Sequence, residues 1–317
     1  MRPISWQDWR ARAAREPARI ILADGDDPRA LEAAALARTQ KIADPIVLKS
    51  GDPSNKDHWI QSLLALPKYR TLSRSEAENR LKDPLVLGCL MLHENQADGL
   101  IGGATRTTAD TLRAIFSIVG LAPKAPTLFG FFLIEARDGR FVILADCAVI
   151  PDPSAKQLSQ IAIGAAQAFT FYTGAQAAVA FLSFSTKGSA EHASVSKVRE
   201  AVQMAKKKAP DLLIEGEWQA DAALDSFSAD KKGVGDSPMA GQANVLIVPD
   251  LNCGNVAYKL VQRLGSLRAV GPVLWGTALP ANDLSRGCSS DDIVDMMALT
   301  TLQAQELKKL ERTTHAG

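Results

Sequence analysis

Short apolar segments alternate with helical patterns along most of this chain, and this alternation restricts the folds open to it. Apolar runs bounded by turn residues predict buried strands at residues 19–23, 45–48, 98–104, 179–184, 212–215, 244–249 and 269–275. Helical patterns lie between most of these segments, and strand–helix–strand repeats favour parallel sheets covered by helices. An Asp-Gly turn at 138–139 predicts one hairpin, between strands at 127–136 and 141–146. We therefore predict an α/β fold with mainly parallel sheets and polar strand-end loops around a cleft.

The chain has 317 residues, which is too many for one small hydrophobic core. One large α/β domain or two domains of ordinary size would fit this length, and we favour two. Pro123 and Pro126 interrupt the alternating pattern, so we place a crossover between domains there.

The composition argues against several classes of partner. Hydrophobic residues make up 46% of the chain, charged residues 22%, and the net charge is +1, so we expect neither nucleic acid nor a membrane as a partner. The first residues lack a signal-peptide core and no run is apolar enough to span a membrane, so we expect a cytoplasmic protein. The cysteines lie far apart, without metal-ligand spacing, at positions Cys89, Cys147, Cys253 and Cys288. We expect free thiols and no metal site.

The segment 282–292 places a hydroxyl, a guanidinium and carboxylates just before a helical pattern. Ser289 is suited to cap that helix and Asp292 completes a capping-box pattern, so we predict a helix that begins at about Ser289. Its first-turn N–H groups and the guanidinium of Arg286 would bind a phosphate or carboxylate, and Gly287 would let the backbone approach that ligand. The alternative is that Asp292 only caps the helix and Arg286 only forms a surface ion pair.

Two further segments have a composition that suits contact with a ligand. Thr107 and Thr108 lie at a strand-to-helix turn flanked by Arg106 and Arg113, a pattern typical of an anion site. A capped helix with two solvated arginines would give the same pattern. Ser185 lies in a small polar loop after a predicted strand, and such a loop either contacts a ligand or merely connects two elements.

Several common catalytic motifs are missing from the sequence. It contains no G-x-x-x-x-G-K-[ST], no G-x-G-x-x-G after a strand and no G-x-S-x-G. Asp291 and Asp295 lie four residues apart on one predicted helix face and would suit Mg²⁺, although a solvated helix face is the favoured interpretation.

Several long segments resemble the phosphotransacetylase and phosphate butyryltransferase family, in the same order and nearly from end to end. The matching segments are residues 22–29, 107–113, 146–153, 249–255 and 282–287. The most specific are the last two, which read PDLNCGN and NDLSRG. The compact length is similar to the short acetyl- or propionyl-using forms, including those associated with ethanolamine breakdown.

This resemblance implies two α/β/α domains around a cleft, related in fold to the isocitrate and isopropylmalate dehydrogenases. The first would be discontinuous, residues 1–124 plus 278–317, and the second would be residues 125–277. The resemblance also implies a homodimer that catalyses acyl phosphate + CoA ⇌ acyl-CoA + phosphate. The expected partners are CoA or acetyl-CoA, acetyl phosphate and inorganic phosphate. CoA is then a substrate, and no cofactor is expected.

The same resemblance assigns roles to individual residues. Asp292 falls on the family's catalytic carboxylate, Arg286 on its catalytic arginine and Ser285 on the adjoining hydroxyl. Arg113 and Arg70 fall on arginines that bind phosphate or CoA. Together with the local patterns, this predicts further substrate contacts at Arg106, Thr107, Thr108, Ser185, Asn252, Asn255 and Gly287.

Departures from the family pattern bear on the acyl group. Arg106 stands where the family often has histidine, and Trp218 and Trp275 would narrow an acyl pocket. Direct attack by the CoA thiolate in a ternary complex is preferred over an acyl-cysteine at Cys147 or Cys288. The alternatives are a propionyl- or butyryl-preferring enzyme, a metal-dependent dehydrogenase on the same fold, and a non-catalytic module that binds acetyl-CoA.

Overall fold

The computed structural model of the protein describes residues 4–51, 53–123 and 125–315. The chain forms two compact units. Ser5–Ala125 and Thr277–Gly317 make up one of them, called the terminal unit because it is built from the beginning and end of the sequence. The other contains Pro126–Gly276 and is called the central unit.

Helices and strands alternate through both units. In chain order the helices are α1 (Trp6–Ala13), α2 (Pro28–Thr39), α3 (Lys56–Ala65), α4 (Arg74–Leu81), α5 (Pro84–His93), α6 (Thr108–Ile118), α7 (Ala155–Thr173), α8 (Ala193–Lys208), α9 (Ala220–Leu224), α10 (Ser226–Lys231), α11 (Leu251–Arg263) and α12 (Ser290–His315). The strands are β1 (Ala18–Leu22), β2 (Ala43–Val47), β3 (Gly99–Gly102), β4 (Phe129–Glu135), β5 (Phe141–Ala145), β6 (Ala178–Leu182), β7 (Leu213–Trp218), β8 (Val245–Ile247), β9 (Ala269–Trp275) and β10 (Ala281–Asp283). Within the described ranges, no helix combines the length and apolar character needed to cross a membrane.

The terminal unit contains a four-stranded sheet with the order β10-β3-β1-β2, and every pair in it is parallel. Ile20, Ile21 and Leu22 of β1 have no exposed surface, as expected for a parallel strand covered on both faces. Helix α12 packs against α1, α2 and β1, which buries its apolar residues from Ile293 to Leu299.

The strand register brings β10, β3 and β1 to a common edge. Asp283 at the end of β10 pairs with Gly102 at the end of β3, and Leu22 of β1 pairs with Ile101. Because these strands are parallel, the loops that follow them leave the same edge. The loops comprise residues 23–27, 103–107 and 284–289.

The central unit contains a six-stranded sheet with the order β7-β6-β8-β5-β4-β9. The strands β7, β6, β8 and β5 run parallel, whereas β4 is antiparallel to both β5 and β9. The predicted hairpin is confirmed, since Glu135 of β4 pairs with Phe141 of β5. Gly139 in its turn has a φ of +80°, which favours glycine. The prediction of an α/β fold with mainly parallel sheets is therefore confirmed.

Two local predictions differ from the structure. The sequence pattern passes over β10, because three residues are too few to show a strand period. The sequence of residues 226–241 predicts a loop, and this prediction is wrong for Ser226–Lys231, which form α10. The carboxylate of Asp225 accepts a 2.8 Å hydrogen bond from the Ser228 N–H and caps this short helix.

Candidate active site

The carboxylate of Asp24 fixes the loop between β3 and α6. It lies just after β1, is buried, and accepts hydrogen bonds from the N–H groups of Gly103 (2.8 Å), Ala104 (3.1 Å) and Thr105 (3.2 Å). The hydroxyl of Thr105 donates a further hydrogen bond of 2.7 Å to the same carboxylate. The loop that carries Thr107 and Thr108 is therefore held in one conformation by the end of the neighbouring strand.

A second buried carboxylate, Asp283, holds the beginning of α6. Thr108 donates a 2.7 Å hydrogen bond to Oδ2 of Asp283, while Oδ1 has no hydrogen-bond partner among the described residues. Burial raises the pKa of Asp283 to about 6, although the nearby hydroxyls of Thr108 and Thr111 act to lower it. A Cβ atom on Gly103, whose φ is +118°, would lie 2.1 Å from Oδ1 of Asp283. Only glycine fits beside this carboxylate.

Arg29, in the first turn of α2, connects the three loops that leave the common edge of β10, β3 and β1. Its Nη1 donates to the carbonyl oxygens of Arg286 (3.0 Å) and Cys288 (2.7 Å), and its Nη2 donates to the carbonyl oxygen of Ala104 (3.1 Å). Its Nη2 also binds the carboxylate of Asp27 at 2.6 Å. The guanidinium therefore fixes the loop of residues 284–289 against the other two.

The predicted start of α12 agrees with the structure. The helix begins at Ser290, the Asp292 N–H donates to Ser289 Oγ (3.1 Å), and the Ser289 N–H donates to Asp292 Oδ2 (2.9 Å). This is a capping box, so Asp292 caps the helix, and it does so through one carboxylate oxygen, Oδ2. Its other oxygen, Oδ1, accepts no hydrogen bond from the described residues, and the residue is half-buried. The same carboxylate can therefore cap the helix and still offer a free lone pair.

Ser285 and Arg286 precede this helix, and the side chains of both keep hydrogen-bond donors that a ligand can use. Arg286 is exposed, and its guanidinium makes neither a hydrogen bond nor an ion pair with any described residue. Arg286 therefore forms no surface ion pair, the alternative role for this residue, with any residue of the described ranges. Ser285 is half-buried, and its Oγ accepts a 3.3 Å hydrogen bond from the N–H of the exposed Gly287. Its hydroxyl proton remains available to a ligand.

Arg106 is less available to an anion than the sequence pattern indicates, because its guanidinium is paired with a carboxylate and mostly buried. Its Nη1 binds Asp83 Oδ1 at 2.6 Å, and its side chain is only 19% exposed. Its Nε is buried without a partner in the described part of the chain. Asp83 also lines an open surface depression, together with Leu72, Glu76, Asn79, Arg80 and Val86. Two acidic residues and one basic residue line this depression, so its net charge does not favour an anion.

The other predicted anion-binding groups of the terminal unit are close to α6 or α3. Thr107 caps α6, since its hydroxyl accepts from the Asp110 N–H (3.2 Å) and donates to the Asp110 carboxylate (2.7 Å). Arg113 binds the same carboxylate at 2.6 Å but is 62% exposed. Arg70 is exposed and donates from Nε to the carbonyl oxygen of Pro67 at 3.1 Å. Both arginines can exchange these surface contacts for a ligand at little cost.

Ser185 of the central unit is buried, so the predicted ligand contact through its hydroxyl is not available in this conformation. Ser185 Oγ donates a 2.8 Å hydrogen bond to Glu217, which also binds Arg199 Nε at 3.0 Å. Burial raises the pKa of Glu217, but the hydrogen bonds from Arg199 and from the Gly188 N–H outweigh it and lower the pKa to about 2. Ser185 thus holds its own loop to an ion pair.

The two predicted asparagines lie in the first turns of α11. Asp250 caps this helix by accepting from the Cys253 N–H at 2.9 Å. Asn252 is exposed and makes no side-chain hydrogen bond with the described residues. Asn255 accepts a hydrogen bond from Lys259 at 2.5 Å through its side-chain oxygen. Asn252 is therefore the more accessible of the two.

Cys147 and Cys288, the two cysteines considered as alternative nucleophiles, both have thiols with a raised pKa. Cys147 is buried, which raises the pKa of its thiol well above the ordinary value. Burial also raises the pKa of the Cys288 thiol to about 12, even though nearby Arg29 lowers it. Neither thiol would form the thiolate that an acyl-cysteine route requires.

Two further expectations change with the structure. Trp218 has no exposed surface and belongs to the hydrophobic core, so it cannot narrow a pocket. Trp275 is half-buried, and its ring centroid lies 5.9 Å from that of Phe171. Asp295 is 1% exposed and binds Arg10 Nε at 2.6 Å, so the interpretation of a solvated face is wrong for this residue. Across the described ranges, no group of three or more His, Cys, Asp or Glu side chains is arranged to hold a metal ion.

Comparison with known proteins gives a consistent result. A family model described as Phosphate acetyl/butaryl transferase matches residues 6–301. A phosphate acetyltransferase from Thermoanaerobacterium thermosaccharolyticum is 43% identical over 313 residues, which cover 90% of this chain and 95% of that protein. A solved phosphotransacetylase from Streptococcus pyogenes has a TM-score of 0.84 and 33% identity, covering 96% of this chain and 100% of that one. The EutD phosphotransacetylase from Staphylococcus aureus has a TM-score of 0.80 and 32% identity, covering 95% of this chain and 99% of that one.

Proposed function

Because this chain belongs to the phosphate acetyl/butyryl transferase family, we propose that it transfers an acetyl group reversibly between acetyl phosphate and coenzyme A. The observation that supports this most directly lies at the start of α12. There, the guanidinium of Arg286 has no partner among the described residues, and one carboxylate oxygen of Asp292 accepts no hydrogen bond from them beside the N–H groups of a helix N-terminus. An acyl phosphate and a thiol proton are the groups that such a pair would bind.

In the proposed reaction the sulfur of CoA bonds to the acetyl carbonyl carbon within a ternary complex. The bond between that carbon and the bridging oxygen breaks, and its electron pair leaves with the phosphate. The thiol proton passes to Asp292 and from there to phosphate or solvent. Free thiols and carboxylic acids differ in pKa by roughly 4 to 5, so complete proton transfer before attack would cost about 6 kcal/mol. We therefore propose that proton transfer accompanies attack.

Arg286 and Ser285 would act on the charges that develop during this step. Arg286 presents a planar fork to the departing phosphate. The Ser285 hydroxyl, which accepts the Gly287 N–H, can donate its proton to the carbonyl oxygen as that oxygen becomes anionic. High pKa values at Cys147 and Cys288 support direct transfer over an acyl-cysteine.

The proposed substrate contacts follow from exposure and charge. Arg113 and Arg70 would bind phosphate groups of CoA or acetyl phosphate, since both are exposed and only loosely paired. Arg106 would take part only by leaving Asp83, and Thr107 and Thr108 would contribute mainly by shaping their loop. Asn252, Asn255 and Gly287 remain proposed contacts, whereas Ser185 is left out because its hydroxyl is engaged with Glu217.

We further propose that the two compact units are the two domains of the family, residues 1–124 plus 278–317 and residues 125–277. The first segment of the terminal unit ends at Ala125 and its second begins at Thr277. Both positions lie within two residues of the proposed domain bounds, which supports the assignment. No cofactor is proposed beyond the substrate CoA. A cytoplasmic location is proposed, and it is in keeping with four cysteines that are all free thiols.

A homodimer is proposed as the functional form. Helix α11 and its C-cap residue expose three apolar side chains at intervals of four residues, Val256, Leu260 and Leu264, of which Leu264 is 81% exposed. A second copy of the chain would cover this stripe. Light scattering on the purified protein tests the proposal, and a monomeric mass at micromolar concentration would refute it.

One assay tests the reaction and its acyl group together. Purified protein is mixed with CoA and acetyl, propionyl or butyryl phosphate, and thioester formation is followed by ultraviolet absorbance. The highest kcat/KM is expected with acetyl phosphate. A higher value with propionyl or butyryl phosphate would assign the longer acyl group, and acetyl-CoA binding without turnover would identify a regulatory module.

A further inference from the structure

Arg29 uses all of its hydrogen-bond donors within the protein. An arginine side chain has five N–H groups. In Arg29, Nε points to the Asp27 carboxylate (3.1 Å), Nη1 binds two carbonyl oxygens and Nη2 binds Asp27 and one carbonyl oxygen. No donor is left for a phosphate, and Asp27 neutralises the charge. In contrast to Arg286, this arginine is built to hold protein groups.

Two of the three carbonyl groups that Arg29 binds belong to peptide units whose N–H groups donate to candidate catalytic side chains. In a planar trans peptide, the N–H points in the direction opposite to the C=O. The carbonyl oxygen of Arg286 binds Arg29, and the N–H of the same peptide unit, on Gly287, donates to Ser285 Oγ. The carbonyl oxygen of Cys288 also binds Arg29, and the N–H of that peptide unit, on Ser289, donates to Asp292 Oδ2.

We propose that Arg29 is a positioning residue of the acyl-transfer site, because its guanidinium orients the 286–287 and 288–289 peptide units that hold Ser285 and Asp292. This inference rests on the proposed function. Arg29 acts through these two peptide units and does not contact the substrate. The contact with Ala104 sets the same guanidinium against the loop that precedes Thr107 and Thr108.

The variant Arg29→Lys tests this role, since a lysine offers three donors on a flexible stem in place of a planar fork. Displacement of catalytic groups by about 1 Å typically costs on the order of 10²-fold in rate. We expect kcat to fall by at least about tenfold, while KM for CoA and acetyl phosphate changes less than about threefold. A kcat within twofold of the wild type would overturn the proposal, and so would a large rise in KM at unchanged kcat, which indicates direct substrate binding.

Arg19 provides a matched control in the same unit. Its guanidinium also binds one carboxylate, Asp98, and two backbone carbonyl oxygens, those of Gln96 and Asn95. These contacts lie at the beginning of β1, whereas Arg29 lies beyond its end. Arg19→Lys should therefore leave kcat unchanged, and an equal loss of kcat in both variants would reduce the Arg29 effect to general destabilisation.

Hydrogen exchange separates this inference from the proposed reaction. In Arg29→Lys, the amides of Gly287 and Ser289 should exchange at least about tenfold faster, while in Arg19→Lys they should not change. Unchanged exchange in Arg29→Lys would overturn the positioning role whatever the activity of the enzyme. A wild-type protein without turnover would instead refute the proposed reaction, and the exchange result would still decide the role of Arg29.

Discussion

The hydroxyl of Thr108 donates a 2.7 Å hydrogen bond to Oδ2 of Asp283, and so joins the first residue of α6 to the last residue of β10. Asp283 has no exposed surface, and burial raises the pKa of its carboxyl from 3.8 to about 6. The charged group that acts on it from the end of β1 is Asp24, which raises this pKa further. The contact between α6 and β10 therefore depends on the buried carboxyl of Asp283. Ionisation of this carboxyl is less favourable in the folded protein than in the unfolded chain, so it lowers the stability of the fold.

Asp283→Asn should reveal this cost as a pH dependence of stability. Below about pH 3 the carboxyl is largely protonated in both the folded and the unfolded state. Between about pH 4 and 6 the unfolded chain has lost the proton and the folded protein still binds it, so wild-type stability falls as pH rises. Asparagine does not titrate. The unfolding free energy of the variant relative to wild type should increase by about 2 to 3 kcal/mol from pH 4 to pH 7.5, measured by urea unfolding.

The exposed Asp236 supplies a control for this measurement. Asp236→Asn should show no comparable change between the two pH values. A flat difference for Asp283→Asn would mean that its carboxyl titrates normally.

Gly103→Ala should be strongly destabilising. The new Cβ would meet Asp283 Oδ1 at 2.1 Å, and the φ of +118° is unfavourable for alanine. We expect a loss of roughly 3 kcal/mol or more in thermal or chemical unfolding. Gly139→Ala isolates the backbone effect, because its φ is +80° with nothing within 4 Å of the added atom, and should cost about 1 kcal/mol. Equal losses would contradict the steric conflict with Asp283.

Arg286→Lys should lower kcat by at least about tenfold, or about 1.4 kcal/mol at the transition state. The reason is that a bidentate fork is replaced by a point charge at the departing phosphate. Since the guanidinium has no partner among the described residues, the melting temperature should hardly change. Arg263→Lys, at an exposed arginine of α11, is the control. Wild-type turnover in folded Arg286→Lys protein would remove Arg286 from the mechanism.

The variant Asp292→Asn distinguishes the helix-capping role of this residue from its proposed role as a general base. Asparagine keeps an oxygen for the Ser289 N–H, so stability should change little, whereas loss of a general base typically costs roughly 10² to 10⁴ in rate. The defect should shrink as pH approaches the pKa of the CoA thiol, because more CoA is then ionised.

A capping carboxylate without a proposed role serves as the comparison for Asp292. Asp225 caps α10 through the Ser228 N–H at 2.8 Å, so Asp225→Asn should leave kcat unaltered at every pH. Near-normal kcat in Asp292→Asn at neutral pH would leave this residue as a cap only.

Arg113→Ala and Arg70→Ala should act mainly on substrate binding. Each should raise KM for CoA or acetyl phosphate by more than it lowers kcat, because ground-state contacts with phosphate groups are lost. Arg74→Ala removes an arginine of equal exposure to Arg113, 62%, that is paired with Asp57, and should change neither constant. If KM also stays constant in the first two variants, these arginines do not bind substrate.

The parts of the site that the sequence predicts are those with a local pattern. Ser289 and Asp292 form a capping box within four residues, and Thr107 caps α6 by accepting a hydrogen bond from the Asp110 N–H three residues later. Arg286 and Gly287 lie beside this signal, so their position at a helix start follows from it. The alternation of strands and helices likewise predicts the parallel sheets without knowledge of their order.

The parts that the sequence does not predict depend on pairing between distant segments. Asp24, Arg29 and Asp283 were not among the predicted site residues, although all three lie in segments that resemble the family. Their roles require β10 beside β3 and β3 beside β1, and three residues of β10 give no periodic signal. The hydroxyl of Ser185, in the loop after β6, likewise binds Glu217 of β7, which lies 32 residues away in the sequence.

During synthesis β1, β2 and β3 leave the ribosome early, whereas β10 follows only after all of Pro126–Gly276 has been made. Until then β3 has one unpaired edge, Thr108 has no Asp283 to bind, and Arg29 lacks two of its three carbonyl partners. The nascent chain therefore carries an incomplete site and an unpaired strand edge until β10 has been made. Arrival of one three-residue strand closes the edge and completes the site together, so the site cannot form before the whole central unit has been made.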